Sequence, residues 1–150
     1  VTGVQTCALP ISVQAAIIAN NLAFHLAQPK TAAEAKQLID GAIVTLGPHP
    51  DLLDTRGLVH LALGEDQEAI KDLELAILQP SDLKFLHLAY ALLRSGDQSG
   101  ARRTLDEGRK KGLSVDRLSG ADRTRLRELE TALGITPEQA GPDSSGPGRG

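Results

Sequence analysis

The side chains best suited to chemistry in this chain are its four histidines, His25, His49, His60 and His87. A helix presents a metal-binding pair when two histidines stand three or four residues apart, but no two of these do, and no His-Glu-x-x-His pattern occurs. His60 and His87 can approach each other from neighbouring helices, although packing and surface roles are the commoner use of such residues. The sequence therefore predicts no metal site.

Acidic residues are numerous, but they cluster where helices are predicted to begin. Glu65, Asp66 and Glu68 are an example, and at a helix start their charge interacts favourably with the helix dipole. The sequence contains no glycine-rich phosphate loop and no nucleophile elbow. We therefore predict that the chain is not an enzyme and takes no cofactor.

The two ends of the chain differ in character from its middle. Residues 1–11 resemble the translation of a common sequencing-library adapter, and the chain contains no methionine. We expect this segment to be foreign to the fold, with a genuine irregular arm as the alternative, and the chain to be a fragment of a longer protein. Cys7, the single cysteine, lies in it, so the remainder predicts no disulfide and no thiol chemistry. Residues 135–150, rich in Pro, Gly and Ser, are predicted to be a disordered, natural C-terminal tail.

The composition is that of closely packed helices. The chain is 41% apolar, and its only aromatic residues besides histidine are Phe24, Phe85 and Tyr90. No run approaches the roughly 18 to 20 apolar residues that a bilayer crossing needs. We predict no membrane contact by these residues, with the cytoplasm as the default location.

Charge is uneven along the chain. Residues 12–100 carry 6 Lys/Arg against 11 Asp/Glu, whereas residues 101–130 carry 9 against 6. The basic stretch can be interpreted as a patch for nucleic acid or as the solvated outer face of the last helices. We favour the second interpretation and predict no nucleic-acid partner, because the stretch contains no aromatic residue to stack on bases.

A repeat organises the middle of the chain. Ala35, Ala69 and Ala101 hold the same place in a pattern that recurs at steps of 34 and 32 residues. Four residues after each alanine comes an apolar residue, and three further on a small one. A period of this size indicates stacked helical hairpins and an all-α fold. We predict hairpins at about 13–49, 50–80 and 82–113 within a domain of residues 12–113, then a capping helix in 114–134.

Apolar spacing and capping residues refine these helices. The first helix is expected to bury a stripe of Ile18, Leu22, Ala23 and Leu26, which stand three or four residues apart or adjacent.

Helix ends are predicted from Thr31 with Glu34, a capping-box pair, and from Asp66 as an N-cap. Gly64 is expected to end one helix, and Ser119 to begin the last.

The three units resemble the tetratricopeptide repeat family, a match that covers about residues 16–113. The matching positions are Leu22, Ala23, Ala35, Ile39 and Ala42, then Leu53, Gly57, Gly64, Ala69 and Leu73, then Phe85, Leu88, Ala89, Gly96 and Ala101. Lys30, Arg56, His60 and Gly108 depart from the family's pattern. The resemblance implies an α-solenoid of about three hairpins plus the capping helix, with small residues such as Gly57 allowing paired helices to approach closely.

The resemblance also implies a concave groove, lined by the first helix of each unit, that binds a protein or peptide. The implied groove residues are Ile17, Asn20, Asn21, Phe24, Gln28, Asp51, Asp54, Thr55, Leu58, Ala62, Leu83, Leu86, His87, Tyr90 and Arg94. This surface is mostly apolar and neutral, with an acidic spot at Asp51 and Asp54. We therefore expect the ligand to be an extended or helical segment with apolar residues and a basic residue near these two carboxylates. The family's clamp for the terminal carboxylate of a chaperone is largely absent, so we predict against that ligand.

Two functions follow as hypotheses. The chain is either a protein-interaction scaffold module that binds a peptide or a partner domain, or the noncatalytic C-terminal arm of a larger enzyme. In the second case the groove contacts another domain of the same protein.

Overall fold

The computed structural model of the chain describes residues 12–136. Over this range the elements are α1 (Val13–Leu26), α2 (Ala32–Leu46), α3 (Pro50–Leu63), α4 (Asp66–Ala76), α5 (Asp82–Arg94), α6 (Gln98–Lys110), a 3₁₀ turn (Val115–Arg117) and α7 (Gly120–Ala132). Residues 12–136 contain no strand, so the predicted all-α fold is confirmed for this part of the chain. The predicted adapter-derived segment 1–11 lies outside the described residues.

The helices pack in chain order. α1 packs with α2, α3 with α4 and α5 with α6, and each pair contacts the next because α2 lies against α3 and α4 against α5. A further row of contacts joins α1 to α3, α3 to α5 and α5 to α7. The architecture is therefore helical and repeat-like, with α7 placed after the third pair.

The core consists of two apolar clusters. One contains residues of all five helices from α1 through α5 and includes the fully buried side chains of Ile39, Leu58 and Leu73. The other joins α5, α6 and α7 around Leu86 and Leu105 with several leucines of α7. Burial of apolar surface of this kind is the main stabilising term in folding, and it ties α7 to the helix pairs.

Close approach of α3 and α4 depends on Gly57. A Cβ atom at this position would lie 2.6 Å from Cγ of Leu73, far inside van der Waals contact. Leu73 is fully buried, so the missing side chain of Gly57 makes the space that Leu73 fills. This is the role that the sequence predicts for the small residue in this unit.

Helix ends follow the prediction at some positions and not at others. Gly64 ends α3 in the left-handed conformation (φ 79°), and the Ser119 hydroxyl accepts a hydrogen bond from the Asp122 amide at the start of α7. The capping box predicted at Thr31 is wrong, because its hydroxyl donates instead to the carbonyl of Leu26 at 2.7 Å. Asp66 is the first residue of α4 rather than its cap.

The predicted buried stripe of α1 is wrong for Ile18 and Leu22, whereas Leu26 is partly buried against the core. Ala16, Ala19 and Ala23 are the buried residues of this helix, whereas Ile18 is 65% and Leu22 45% exposed. Among the described residues α1 packs against α2 and α3, and Ile18 and Leu22 lie largely outside these contacts.

The boundary predicted for the C-terminal tail is displaced. Ile135 is buried in the second apolar cluster, and its amide donates to the carbonyl of Glu130 at 2.8 Å. Residue 135 therefore belongs to the folded part, contrary to the prediction of disorder from 135 onward. Residues 137–150 lie outside the described range.

Candidate functional site

One part of the predicted groove is a cleft between α1 and α3. Its volume is about 360 Å³, and it is lined by Asn20, Asn21, Phe24, His25, Asp51, Asp54 and Thr55. We refer to it as the α1–α3 cleft. Six of its seven residues were predicted from the resemblance, and His25 is the addition, brought in beside Phe24 by an edge-to-face contact with ring centroids 5.7 Å apart.

Asn20 lines the α1–α3 cleft, but its side-chain oxygen is not exposed there. Its Oδ1 atom is buried and has no hydrogen-bond partner in the structure. Buried polar atoms are nearly always paired, so this one is an exception, but an occupant of the cleft cannot reach it without a movement of the Asn20 side chain. Asn21, which is exposed on the next position of α1, adds a second amide at the same cleft.

A neighbouring cleft continues this surface toward the start of α3. It has a volume of about 400 Å³ and shares Asn20 and Asp51 with the α1–α3 cleft, adding Ile17, Leu46 and Leu52 among its lining residues. Ile17 is half exposed here, at 51%. Of the other groove residues, Gln28 is exposed and Leu83 is partly buried.

Four predicted groove residues are almost completely buried in this structure. Thr55, Leu58, Leu86 and His87 are at most 3% exposed. The prediction assumed one open face along each first helix, but these helices contact one another and α7 covers α5. The accessible surface is therefore concentrated on α1, and the part contributed by α5 is much reduced.

The predicted acidic spot is largely neutralised within the chain. Lys84 places its Nζ 2.7 Å from Oδ1 of Asp51, and His87 places its Nδ1 2.8 Å from Oδ1 of Asp54. Both cations are almost completely buried, so these pairs are part of the folded structure. The expected preference for a basic ligand residue at Asp51 and Asp54 thus loses its physical basis.

His87 joins three helices through two carboxylates. Its Nδ1 contacts Asp54 of α3, and its Nε2 lies 3.2 Å from Oδ1 of Asp122 of α7. Both partners are acceptors, so both ring nitrogens donate, which requires the imidazolium form. Burial disfavours that charged form, but the charge of Asp54 and the hydrogen bonds to Asp122 and Asp54 outweigh it and raise the pKa of His87 to about 9.

Asp122 is held in the ionised form by the same cluster. Burial opposes ionisation, yet the hydrogen bond and charge of His87, the Ser119 hydroxyl and the charge of Arg125 together keep the pKa of Asp122 well below its usual value. Every polar atom of this His–Asp pair has a structural partner. The arrangement stabilises the attachment of α7 and leaves no free group for acid–base chemistry.

The two sequence departures in the second unit form another structural network. Arg56 donates from Nε and Nη2 to the two carboxylate oxygens of Asp72 at 2.6 and 2.8 Å, and its Nη1 lies 3.6 Å from Asp40 of α2. The hydrogen bond to Asp72 raises the pKa of Arg56 against the effect of burial. His60 contacts Glu65 and Asp72. These charges therefore connect α2, α3 and α4.

The remaining groove residues belong to a small cleft of about 200 Å³ between the C-terminal ends of α1, α3 and α5. Ala62, Tyr90 and Arg94 line it, but Tyr90 donates to Glu128 of α7 at 2.6 Å. Arg94 donates to the carbonyl of Leu61 at 2.7 Å and lies 3.0 Å from Asp66. Both polar groups are thus already engaged by the chain.

Charged side chains of the basic stretch are also used internally. Arg109 pairs with Glu130 at 3.0 Å, Arg125 pairs with Asp122, and Arg102 donates to the carbonyl of Leu133. These contacts join α6 to α7 or brace the start of α7.

Comparison with known proteins provides no relative. The chain has no significant match to a protein family, to a curated protein or to a solved structure. Within residues 12–136 no group of three metal-ligating side chains lies close enough to hold a metal ion. Nor does that part of the chain contain a helix with the length and apolarity required to traverse a bilayer.

Proposed function

We propose that this chain is a protein-interaction module of the tetratricopeptide repeat type and that it binds an extended peptide segment at the α1–α3 cleft. The observation that carries the proposal is the cleft of about 360 Å³ itself, in which Phe24 and the exposed amide of Asn21 lie together. A peptide offers a row of backbone N–H and C=O groups, which the exposed amide of Asn21 can bind.

The shape and chemistry of the cleft favour a neutral, partly apolar peptide. Phe24 supplies an aromatic surface beside the amides of Asn20 and Asn21, and a volume of this size accommodates a few side chains. The internal pairing of Asp51 and Asp54 leaves little uncompensated negative charge to attract a basic residue. We therefore expect the bound segment to present an apolar side chain to Phe24 and backbone groups to the asparagines.

A selection experiment tests this function with a defined probe. The 150-residue chain is immobilised, a random peptide display library is selected against it, and the enriched peptides are synthesised with a fluorescent label. We expect the Asn21→Arg variant, which fills the cleft mouth from an exposed position, to weaken binding measured by anisotropy at least about tenfold, or 1.4 kcal/mol. Phe24→Ala should weaken it as well.

Val44→Arg is the matched control, since Val44 is 88% exposed on α2 and lines none of the clefts described above. Its affinity should equal that of the unsubstituted chain. The proposal fails if no peptide is enriched, or if the enriched peptides bind the Asn21→Arg and Val44→Arg variants equally well.

A further inference from the structure

One wall of the α1–α3 cleft is fixed by residues that lie outside it. Asp51 and Asp54 stand three residues apart on α3, and both line the cleft. Lys84 and His87 stand three residues apart on α5 and contact these carboxylates in the same order, Lys84 with Asp51 and His87 with Asp54. The side chains of Lys84 and His87 are 8% and 1% exposed, so α5 supports this wall from inside the protein.

The two carboxylate oxygens of Asp54 have different surroundings. Oδ1 accepts the hydrogen bond from Nδ1 of His87 at 2.8 Å, whereas Oδ2 accepts none from residues 12–136. The Asp54 side chain is 14% exposed and lines the cleft, and Oδ2 is not among the buried atoms that lack a partner. Oδ2 is therefore the oxygen that an occupant of the cleft can reach.

The ring that holds Asp54 is itself held by α7. Nε2 of His87 lies 3.2 Å from Oδ1 of Asp122, whose side chain is 3% exposed. Asp122 is fixed in turn by the Ser119 hydroxyl and by Nη1 of Arg125, both at 2.7 Å. An imidazole with a partner at each nitrogen cannot rotate without breaking one contact, so α7 fixes the orientation of the ring.

We propose that His87 and Asp122 are positioning residues of the α1–α3 cleft, which hold Asp54 in place as the hydrogen-bond acceptor for the occupant. None of the residues that line the cleft belongs to α7, so α7 acts on the cleft only through His87. The inference rests on the proposed peptide binding at this cleft. Groups that contact a ligand are effective when buried residues behind them keep them in one geometry.

The same contacts indicate which donor Asp54 accepts. Its charge is already compensated by the imidazolium ion of His87, so a second cation gains little there. A neutral N–H group, such as the backbone amide of a peptide, needs only the accessible lone pairs of Oδ2. We therefore expect Asp54 to bind a backbone amide of the segment rather than a lysine or arginine side chain.

The proton on His87 gives a way to break this arrangement without a substitution. Asp54 faces the ring from α3 and Asp122 faces it from α7, with Arg125 beyond Asp122. The two carboxylates outweigh burial and raise the pKa of His87 to about 9. Neutral imidazole has one N–H and can donate to only one of the two carboxylates, so one contact is lost above this pH.

Carbon-13 NMR of the side-chain carboxyl groups tests these contacts on the full 150-residue chain without a ligand. The Asp54 signal should shift as the pH is raised through about 9, because His87 loses its proton there. In Asp122→Asn the midpoint of this shift should move to lower pH, since one of the two charges that hold the proton is gone. Glu130→Gln is the matched control, because it removes a different ion pair of α7, that with Arg109, and should leave the midpoint unchanged.

Fluorescence anisotropy then tests the effect on binding. The probe is a peptide enriched by selection from a library without ionisable side chains, acetylated and amidated so that only the protein titrates. Its affinity should fall at least about twofold in Asp122→Asn, and by a similar factor for the unsubstituted chain between about pH 7 and about pH 9.5. Glu130→Gln should bind like the unsubstituted chain, and circular dichroism should show equal helix content in both variants.

Two results overturn the inference. One is an Asp54 midpoint that is the same in Asp122→Asn and in Glu130→Gln, which shows that α7 does not act on Asp54. The other is a moved midpoint with equal peptide affinity in the two variants, which shows that the position of Asp54 does not matter for binding. If no peptide is enriched, the proposed function fails and the binding role of Asp54 fails with it, while the NMR midpoint still decides whether α7 holds Asp54.

Discussion

The first and the last helix of this array, α1 and α7, differ in which residues they bury and which they turn toward solvent. α7 buries Leu126, Leu129 and Leu133 against α5 and α6 and turns charged residues toward solvent. α1 buries only alanines well and turns Ile18 and Leu22 outward. The surface that α7 presents to solvent is therefore polar. The surface of α1 instead includes exposed apolar side chains.

The two ends also differ in how charge fixes them. α7 is attached by the buried contact of Asp122 with His87, by the Arg109–Glu130 pair and by the bond from Arg102 to the carbonyl of Leu133. α1 contains no carboxylate or basic residue other than His25, and its contacts with α2 and α3 are mainly apolar. α7 is therefore fixed by specific polar contacts as well as apolar packing, whereas α1 is fixed mainly by apolar packing.

Among the substitutions that test this comparison, His87→Ala is expected to lower the free energy of unfolding most. The substitution leaves Asp54 and Asp122 without their shared cation, and loss of one partner from a buried ion pair costs about 3–5 kcal/mol. Urea unfolding followed by circular dichroism measures the loss. The matched control is His25→Ala, which removes an exposed ring and should change the free energy of unfolding by less than about 0.5 kcal/mol.

Two further observations sharpen that experiment. Limited proteolysis should cut the His87→Ala variant between α6 and α7 faster than the unsubstituted chain, because α7 loses its buried attachment. Adding Asp54→Asn and Asp122→Asn should recover part of the lost stability. Equal stability of the His87→Ala and His25→Ala variants would contradict the structural role of the cluster.

Equivalent residues in covered and open units should differ strongly in their contribution to stability. Leu52→Ala removes a side chain that is 5% exposed and should cost about 2–5 kcal/mol. Ile18→Ala, 34 residues earlier at the corresponding position of α1, should change the free energy of unfolding by less than about 0.5 kcal/mol. Urea midpoints give both values, and similar losses would show that Ile18 is covered in solution.

The dependence of the free energy of unfolding on pH should measure the contribution of the His87–Asp122 contact, which attaches α7 to α5. The pKa of His87 is raised from 6.5 to about 9 in the folded chain, so its contribution is fully present below pH 6.5 and is lost as the pH rises through 9. The loss is on the order of 3 kcal/mol. The pKa of Asp122 is lowered, so its contribution is present above its ordinary value of 3.8 and lost in acid.

Urea unfolding at pH 6 and at about pH 9.5 measures this loss at the alkaline side. The His87→Ala variant is the control, since its stability should change much less over the same interval. A loss of equal size in both proteins would assign the effect to other groups.

The periodic features of the fold could be predicted from the sequence, because they depend on local spacing. The all-helical fold, the small residue at 57 and the left-handed glycine at 64 follow from repeated pattern and backbone geometry. The predicted groove was less accurate. Pattern identifies which side of a helix faces its neighbours, but Leu58 and Leu86 show that it does not tell how completely the next helix covers that side.

Specific polar contacts were missed for a different reason. The sequence around His87 does not indicate its partners, Asp54 and Asp122, which lie 33 residues before it and 35 after it. These separations are close to the repeat steps of 34 and 32 residues, so acidic residues about one repeat from a histidine are the signal that could have found the cluster. Arg56 is similar, because its departure from the repeat pattern marks a partner, Asp72, on the paired helix.

The smallest expected loss of stability concerns the distance between α3 and α4, a helix pair in the middle of the molecule. Gly57→Ala places a Cβ atom 2.6 Å from Cγ of the buried Leu73, and overpacking of this kind costs about 1–3 kcal/mol. Alanine gains about 1 kcal/mol over glycine in helix propensity, so the net loss should fall in the lower part of that range.

Gly120→Ala is the matched control, since no atom lies within 4 Å of the added Cβ and the residue begins α7. Its stability should equal or exceed that of the unsubstituted chain in urea unfolding. If Gly57→Ala is as stable as Gly120→Ala, α3 and α4 can move apart at little cost, and the close approach of the pair does not depend on Gly57. A Gly57→Ala/Leu73→Ala double variant separates the clash from other effects. The second substitution removes the atoms that the new methyl group meets, so its cost should be smaller in the Gly57→Ala background than in the unsubstituted chain.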